Sequence, residues 1–207
     1  MRRSLVKVFI AAVCAGLPLG AALAAPQIGG PAPDFVGVDS NGQTVRLADL
    51  HGKVVVLEWT NDGCPFVTKW YHSGAMQELQ REAASKGAVW LSIVSSAPGE
   101  QGYVDGAQAN ADTTERKAAP AHVLLDPDGT IGHLYGAQTT PHIFIIKQDG
   151  TLAYMGGADS IASTRDEDVV RAEPYAREAL EQVASGMPVA HPVTRPYGCT
   201  VKYKYGS

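Results

Sequence analysis

The sequence predicts an α/β domain: a central mixed β-sheet flanked by helices, with an N-terminal β-hairpin and an extended C-terminal tail. Three observations carry that expectation. Residues 53–59 and 88–95 are continuous apolar runs rich in Val, Leu and Trp, the composition of strands covered on both faces. A helical stretch over 64–86 joins them, and strand, helix, strand in succession marks a parallel crossover. Two turn signals, Asn41-Gly42 and Gln148-Asp149-Gly150, sit between short apolar segments and read as antiparallel hairpins.

The elements follow in order. From Pro31, alternating apolar positions flank Asn41-Gly42, giving the first hairpin. After the strand at 53–59 comes Asn61-Asp62-Gly63, then the helical stretch, closed by Gly87 as helices commonly are. Residues 98–106 are Gly-rich loop, and 103–119 carry a weak pattern for a short helix. A strand at 121–126 ends in the turn Asp126-Pro127-Asp128-Gly129. Strands at 141–146 and 151–155 make the second hairpin. Residues 166–185 read as helix, with Val169, Val170, Ala176, Leu180 and Val183 near one face. From Met187 onward Pro188, Pro192 and Pro196 keep the chain extended. There is no internal repeat or low-complexity segment.

The chain has 207 residues, 45% of them apolar and 18% charged, enough to bury a core and too apolar for bulk disorder. Seventeen basic against 21 acidic residues give a net charge of −4, which offers neither a nucleic-acid footprint nor a polybasic membrane surface.

The start of the chain differs from the rest. Arg2, Arg3 and Lys7 are followed by an uncharged stretch over 8–25, and Ala22-Leu23-Ala24 suits a signal peptidase cutting before Ala25. Residues 1–24 are therefore expected to be a signal peptide, 28–187 the domain and 188–207 a tail carrying Cys199. An uncleaved anchor is the alternative, since the apolar run is only just long enough to span a bilayer. Lipid attachment fits poorly, because Cys14 lies early and follows Val13. Cleavage removes three basic residues, no acid, and Cys14. It leaves Cys64 and Cys199 in a compartment where disulfides persist. The mature protein is expected in the periplasm, without membrane attachment.

Cys64 stands where a buried strand gives way to a helix. A helix N-terminus offers unpaired N–H groups and partial positive charge, which stabilise a thiolate. Pro65 suits the first helical position, where its missing N–H costs nothing. A structural cysteine more often sits inside an element as a small hydrophobe.

These residues carry a resemblance. Phe35, the Asn41-Gly42 turn, Leu47, the run from Gly52 to Trp59 and Gly63-Cys64-Pro65-Phe66 resemble the thioredoxin-fold redoxins, and more narrowly the alkyl hydroperoxide reductase/thiol-specific antioxidant (AhpC/TSA) group. Leu125 to Gly129, Tyr135-Gly136, Thr140-Pro141, Phe144-Ile145 and Asp149-Gly150 fit the same template in the same order. The resemblance implies a thioredoxin-like fold and a thiol-dependent oxidoreductase without a cofactor or metal. Its partners would be a disulfide-bearing protein, or a small-molecule thiol or peroxide, together with an external reductant. It implies Cys64 as nucleophile and a cis-proline at Thr140-Pro141 facing it. Thr140, Pro141, Trp59 and Phe66 would contact substrate. Glu58 would be a buried acid with a raised pKa, suited to moving protons; the plain alternative places it at a wet edge or beside a lysine.

The departures bear on the chemistry. Val67 stands where a thioredoxin carries its second cysteine, so no disulfide can close within one helical turn. Leu57 and Asn61 stand where peroxiredoxins carry a proline and a peroxide-orienting hydroxyl, with Thr60 adjacent. Cys199 is then the candidate resolving cysteine, or half of a permanent staple; both readings predict the same pair. His142 can lie near the sulfur and favour the thiolate if protonated, or point away. Copper-delivery proteins of this fold use two cysteines and a histidine; Thr68 stands at their second cysteine, leaving Cys64, Cys199 and His142 as a conceivable Cu(I) set. A redoxin fold kept as a non-catalytic binding module is the remaining reading.

Overall fold

Residues 26–204 are described by a computed structural model; the expected signal peptide lies outside the described residues. The first hairpin is β1 (Val36–Asp39) and β2 (Thr44–Arg46), paired antiparallel. Gly42 takes φ +78 at its turn, and the Asp39 carboxylate accepts the N–H groups of Asn41 and Gln43. The buried run becomes β3 (Val55–Trp59), which pairs in parallel with β4 (Val89–Val94).

The connection between β3 and β4 holds two helices rather than the one expected over 64–86. These are α1 (Pro65–His72) and α2 (Ala75–Ser85). Gly74, with φ +81, takes a conformation that other residues reach only at a cost, and so breaks the run. The next helix, α3 (Gly106–Glu115), starts at Asp105, whose carboxylate accepts the Gln108 N–H at 2.8 Å. It is shorter at both ends than the expected 103–119. β5 (His122–Leu125) pairs in parallel with β4 and antiparallel with β1. A short helix that the sequence pattern does not announce, α4 (Thr130–Tyr135), follows it. Its N–H groups at Ile131 and Gly132 are met by the Asp126 carboxylate.

After β6 (Thr139–Thr140), the second hairpin is β7 (His142–Ile146) and β8 (Leu152–Gly156). β7 lies antiparallel against β3, and the full sheet runs β2-β1-β5-β4-β3-β7-β8. Helix at 166–185 is corrected to a 3-10 turn at Asp166–Asp168 and then α5 (Tyr175–Ala184). Pro174 intervenes, and a proline disfavours helical backbone in the residue before it. Val170 is 87% exposed and lies outside the core, whereas Ala176, Leu180 and Val183 are buried.

Side chains alternate across the sheet, so β3 feeds two cores. Val56 joins Val67, Met76, Leu79, Ile143 and Leu180 on the face of α1, α2 and α5. Leu57 and Trp59 join Ile131, Tyr135 and Phe144 on the face of α4. Burying each such side chain contributes about 1.5–3 kcal/mol. The tail is docked against the domain. Its β9 (Cys199–Thr200) pairs antiparallel with β6, setting Cys199 opposite Thr140. No helix among the described residues is long and apolar enough to cross a membrane.

Candidate active site

Cys64 is the N-cap of α1. Its carbonyl accepts the N–H groups of Val67 and Thr68 at 2.9 Å each, and the Thr68 hydroxyl at 3.1 Å. The loop ahead of it is pinned by an amide pair. Asn61 and Gln101 exchange hydrogen bonds at 3.1 Å, and Asn61 Oδ1 also accepts the Gly63 N–H. A side chain on Gly63 would run into Gln101, so the Gly-rich loop lies directly against the cysteine loop.

The Thr140-Pro141 peptide bond is cis, and the Cys64 thiol donates to the Thr140 carbonyl at 3.2 Å. Cys64 is fully buried, with Cys199, partly exposed, hydrogen-bonded beside it. Burial works against a Cys64 thiolate. It is outweighed by the Cys199 thiol beside the sulfur and by the nearby backbone N–H groups of Cys199 and Val67, so the Cys64 pKa is lowered. Cys199 moves the opposite way, pushed up to about 11 by burial and by Cys64 itself. The pair is thus divided into a thiolate-forming sulfur and a proton-holding one.

The tail is held on both sides of Cys199. Before it, the Tyr197 hydroxyl reaches a buried ion pair between Lys69 and Asp159, 3.2 Å apart. It accepts from Lys69 Nζ at 2.9 Å and donates to Asp159 Oδ1. Phe66 packs edge-on against the Tyr197 ring at 5.8 Å. After it, Val201 is buried, and Tyr203 stacks on His133 at 4.0 Å while its hydroxyl donates to the Ala137 carbonyl. Gly198, at φ +143, lies so close to Thr140 that a Cβ would overlap the Thr140 carbonyl.

The structure therefore gathers Cys64, Cys199, Thr140 and Pro141, with Phe66 one step away against Tyr197. Glu58 is buried on the same face of the sheet. Its carboxylate is surrounded by donors: Tyr71 Oη at 3.0 Å, Trp90 Nε1 and Ser92 Oγ at 2.9 Å, and Gln80 Nε2 at 3.3 Å. It is at neither a wet edge nor a lysine, and it makes no hydrogen bond to Cys64. Burial raises its pKa, and those donors only partly oppose the rise. Trp59, expected against substrate, is fully buried on the α4 face, donating to Ser95 Oγ at 3.0 Å and packed on Tyr135 and Phe144. It presents no surface to a substrate. His142 does not supply positive charge: burial pushes its pKa down to about 4, and Nδ1 accepts the Gln138 N–H. Among the described residues no group of three or more His, Cys, Asp or Glu side chains could hold a metal ion.

No sequence motif joins Lys69, Asp159 and Tyr197, which lie far apart along the chain. The one available signal is Lys69 itself, a charge between Val67 and Trp70-Tyr71 on an otherwise apolar helix face.

The family model of the AhpC/TSA family matches residues 28–155, more than half of the chain. The chain belongs to the AhpC/TSA family. This AhpC/TSA protein is similar in fold to a hypothetical protein from Sinorhizobium meliloti 1021, with 22% identity, 88% of this chain and 98% of that chain covered, and a TM-score of 0.73. An uncharacterized conserved protein from Geobacillus kaustophilus gives 24% identity, 87% and 94% coverage and a TM-score of 0.76. A putative thiol:disulfide interchange protein DsbE from Chlorobium tepidum gives 23% identity, 78% and 98% coverage and a TM-score of 0.55. At these identities the likeness shows the thioredoxin-like fold. A search of curated proteins found no match.

Proposed function

We propose that this AhpC/TSA protein is an exported thiol–disulfide oxidoreductase with Cys64 as nucleophile and Cys199 as resolving cysteine. The observation that carries the reading is the hydrogen-bonded pair of thiols at the cis-Pro141 loop, one with a lowered and one with a raised pKa. The Cys64 thiolate attacks one sulfur of a substrate disulfide, forming a mixed disulfide and releasing the other substrate thiolate. Cys199 then loses its proton and attacks Cys64 Sγ, releasing the second substrate thiolate and closing a Cys64–Cys199 bond. The substrate gains two electrons and the protein gives them up. An external dithiol reductant returns the pair to the reduced state.

The same pair supports a slower reaction with peroxide. Attack by Cys64 on the O–O bond leaves a sulfenic acid and releases an alcohol or water; attack by Cys199 then expels water and forms the same disulfide. The disulfide reaction is favoured because Asn61, at the peroxide-orienting place, has its amide engaged with Gln101. The lowered pKa of Cys64 makes it a better leaving group than an ordinary cysteine, which favours a labile bond over a permanent staple. Glu58 is assigned a proton-holding role beneath α1. The Chlorobium tepidum neighbour, a putative thiol:disulfide interchange protein, is named for the same class of activity, and the signal-like N-terminus supports export to the periplasm.

The test is peptide mass mapping without reductant, with free thiols alkylated at low pH. The expected result is a Cys64–Cys199 bond that a mild dithiol opens. A bond that resists mild reduction makes the pair a staple, and both cysteines free after oxidant treatment removes Cys199 from the cycle.

A further inference from the structure

Cys64 is fully buried, and what lies over it is the chain's own tail. A substrate disulfide must reach the Cys64 sulfur nearly in line with its own S–S bond, so Cys199 has to move aside first. The place it vacates is shaped. A side chain directly before the cysteine would strike the Thr140 carbonyl, so only glycine fits there. Two residues before the cysteine lies a small polar socket. There Lys69 spends its donors on Asp159 Oδ2, the Ile161 carbonyl and the Tyr197 hydroxyl. Asp159 Oδ1 takes the Ile161 N–H and the same hydroxyl. Lys69 and Asp159 are each 1% exposed, so whatever replaces the tail must supply that hydroxyl or leave two buried charged groups short of a partner.

We propose that the groove filled by residues 197–203 is a docking surface for an extended segment of another protein that carries the pattern Tyr-Gly-Cys, its cysteine being the one engaged in the substrate disulfide. The tail is the internal copy of that segment. The backbone ladder against Thr139 and Thr140 supplies sequence-independent affinity, and the tyrosine socket and the glycine contact supply selection. This rests on the oxidoreductase reading above and narrows its substrate to a protein disulfide of defined local sequence. The electrons balance as before. Cys64 forms a mixed disulfide with the docked cysteine, expelling the thiol formerly bonded to it. Cys199 then returns with the tail, displaces the docked cysteine as a thiol and leaves the Cys64–Cys199 bond.

The test uses the reduced full-length protein and a synthetic peptide of residues 195–203 whose cysteine is carried as a mixed disulfide with thionitrobenzoate. Two further peptides carry Tyr197→Phe and Gly198→Ala. Release of thionitrobenzoate is timed, and the Cys64 adduct is confirmed by mass. The expected result is that the unaltered peptide reacts about tenfold or more faster than either altered one. Gly198→Ala in the protein itself, which cannot seat its own tail, should speed the unaltered peptide while keeping the discrimination against the Phe version. Equal rates for all three peptides, or no peptide reaction, alongside ready reduction of free bis-thionitrobenzoate disulfide, would overturn the docking proposal and leave the oxidoreductase reading intact. No reaction with that simple disulfide either would overturn both.

Discussion

Cys199 lies opposite Thr140 in a two-residue antiparallel ladder, and its thiol stands beside Cys64, whose pKa it lowers. The tail thus serves the reactive sulfur twice: it covers it and it favours its ionised form.

Cys199→Ala removes the thiol that favours the Cys64 thiolate. The titration of Cys64, followed by thiolate absorbance in the ultraviolet, should move to higher pH. An unchanged midpoint means that Cys199 does not hold the Cys64 pKa down.

Gly132 sits inside α4, where Ala ordinarily stabilises a helix by about 1 kcal/mol. Here a Cβ would overlap the Tyr203 side chain, so Gly132→Ala should instead destabilise the protein by about 1–2 kcal/mol as Tyr203 is driven off His133. In a Tyr203→Ala background the same change should be neutral or stabilising. Urea unfolding of the four proteins measures the coupling, and additive effects would show that Tyr203 does not anchor the tail in solution.

Glu58 has a raised pKa, so the folded protein holds its proton more tightly than the unfolded chain does. Its stabilising contribution is complete below the ordinary carboxyl value of 4.5 and is lost as pH rises through the folded value. Glu58→Gln should flatten that decline in unfolding experiments. If thiol reactivity across neutral pH is also unchanged in this variant, Glu58 acts in folding and not in proton transfer.

His142 runs the other way. Its pKa falls from 6.5 to about 4 because burial penalises the imidazolium. It contributes stability above 6.5 that is lost as pH falls toward 4, about 3 kcal/mol in all. His142→Asn, which keeps an acceptor for the Gln138 N–H, should remove most of this acid sensitivity relative to the parent. An unchanged acid limb would place the titration elsewhere.

The strands were legible because burial on both faces writes itself into composition, as in 53–59 and 88–95, and hairpins because Asn41-Gly42 and Asp149-Gly150 demand their own backbone. The break at Gly74 was harder to read, since an amphipathic pattern continues across it and only the glycine's φ interrupts it. α4 is six residues long, too short for periodicity to show, and it forms because Asp126 meets its first N–H groups. Trp59 lies on the other face from Cys64's helix, because adjacency to a reactive cysteine in sequence says nothing about which face of a strand a side chain takes.

By itself, the sequence determined the local facts: Cys64 at a strand-to-helix junction, Pro65 at the first helical position, Val67 in place of a second cysteine. It also offered Cys199 as a candidate partner, without saying where it goes. Tertiary structure alone decided that the tail pairs with β6, that Tyr197 caps the Lys69–Asp159 pair, and that Glu58 is enclosed by Tyr71, Gln80, Trp90 and Ser92. The physical reason is range. A two-residue strand has no period to detect, and its stability comes from partners some sixty residues away along the chain, at Thr139 and Thr140. A buried charge is likewise tolerable only where distant segments converge to pair it, and that convergence is a property of the fold.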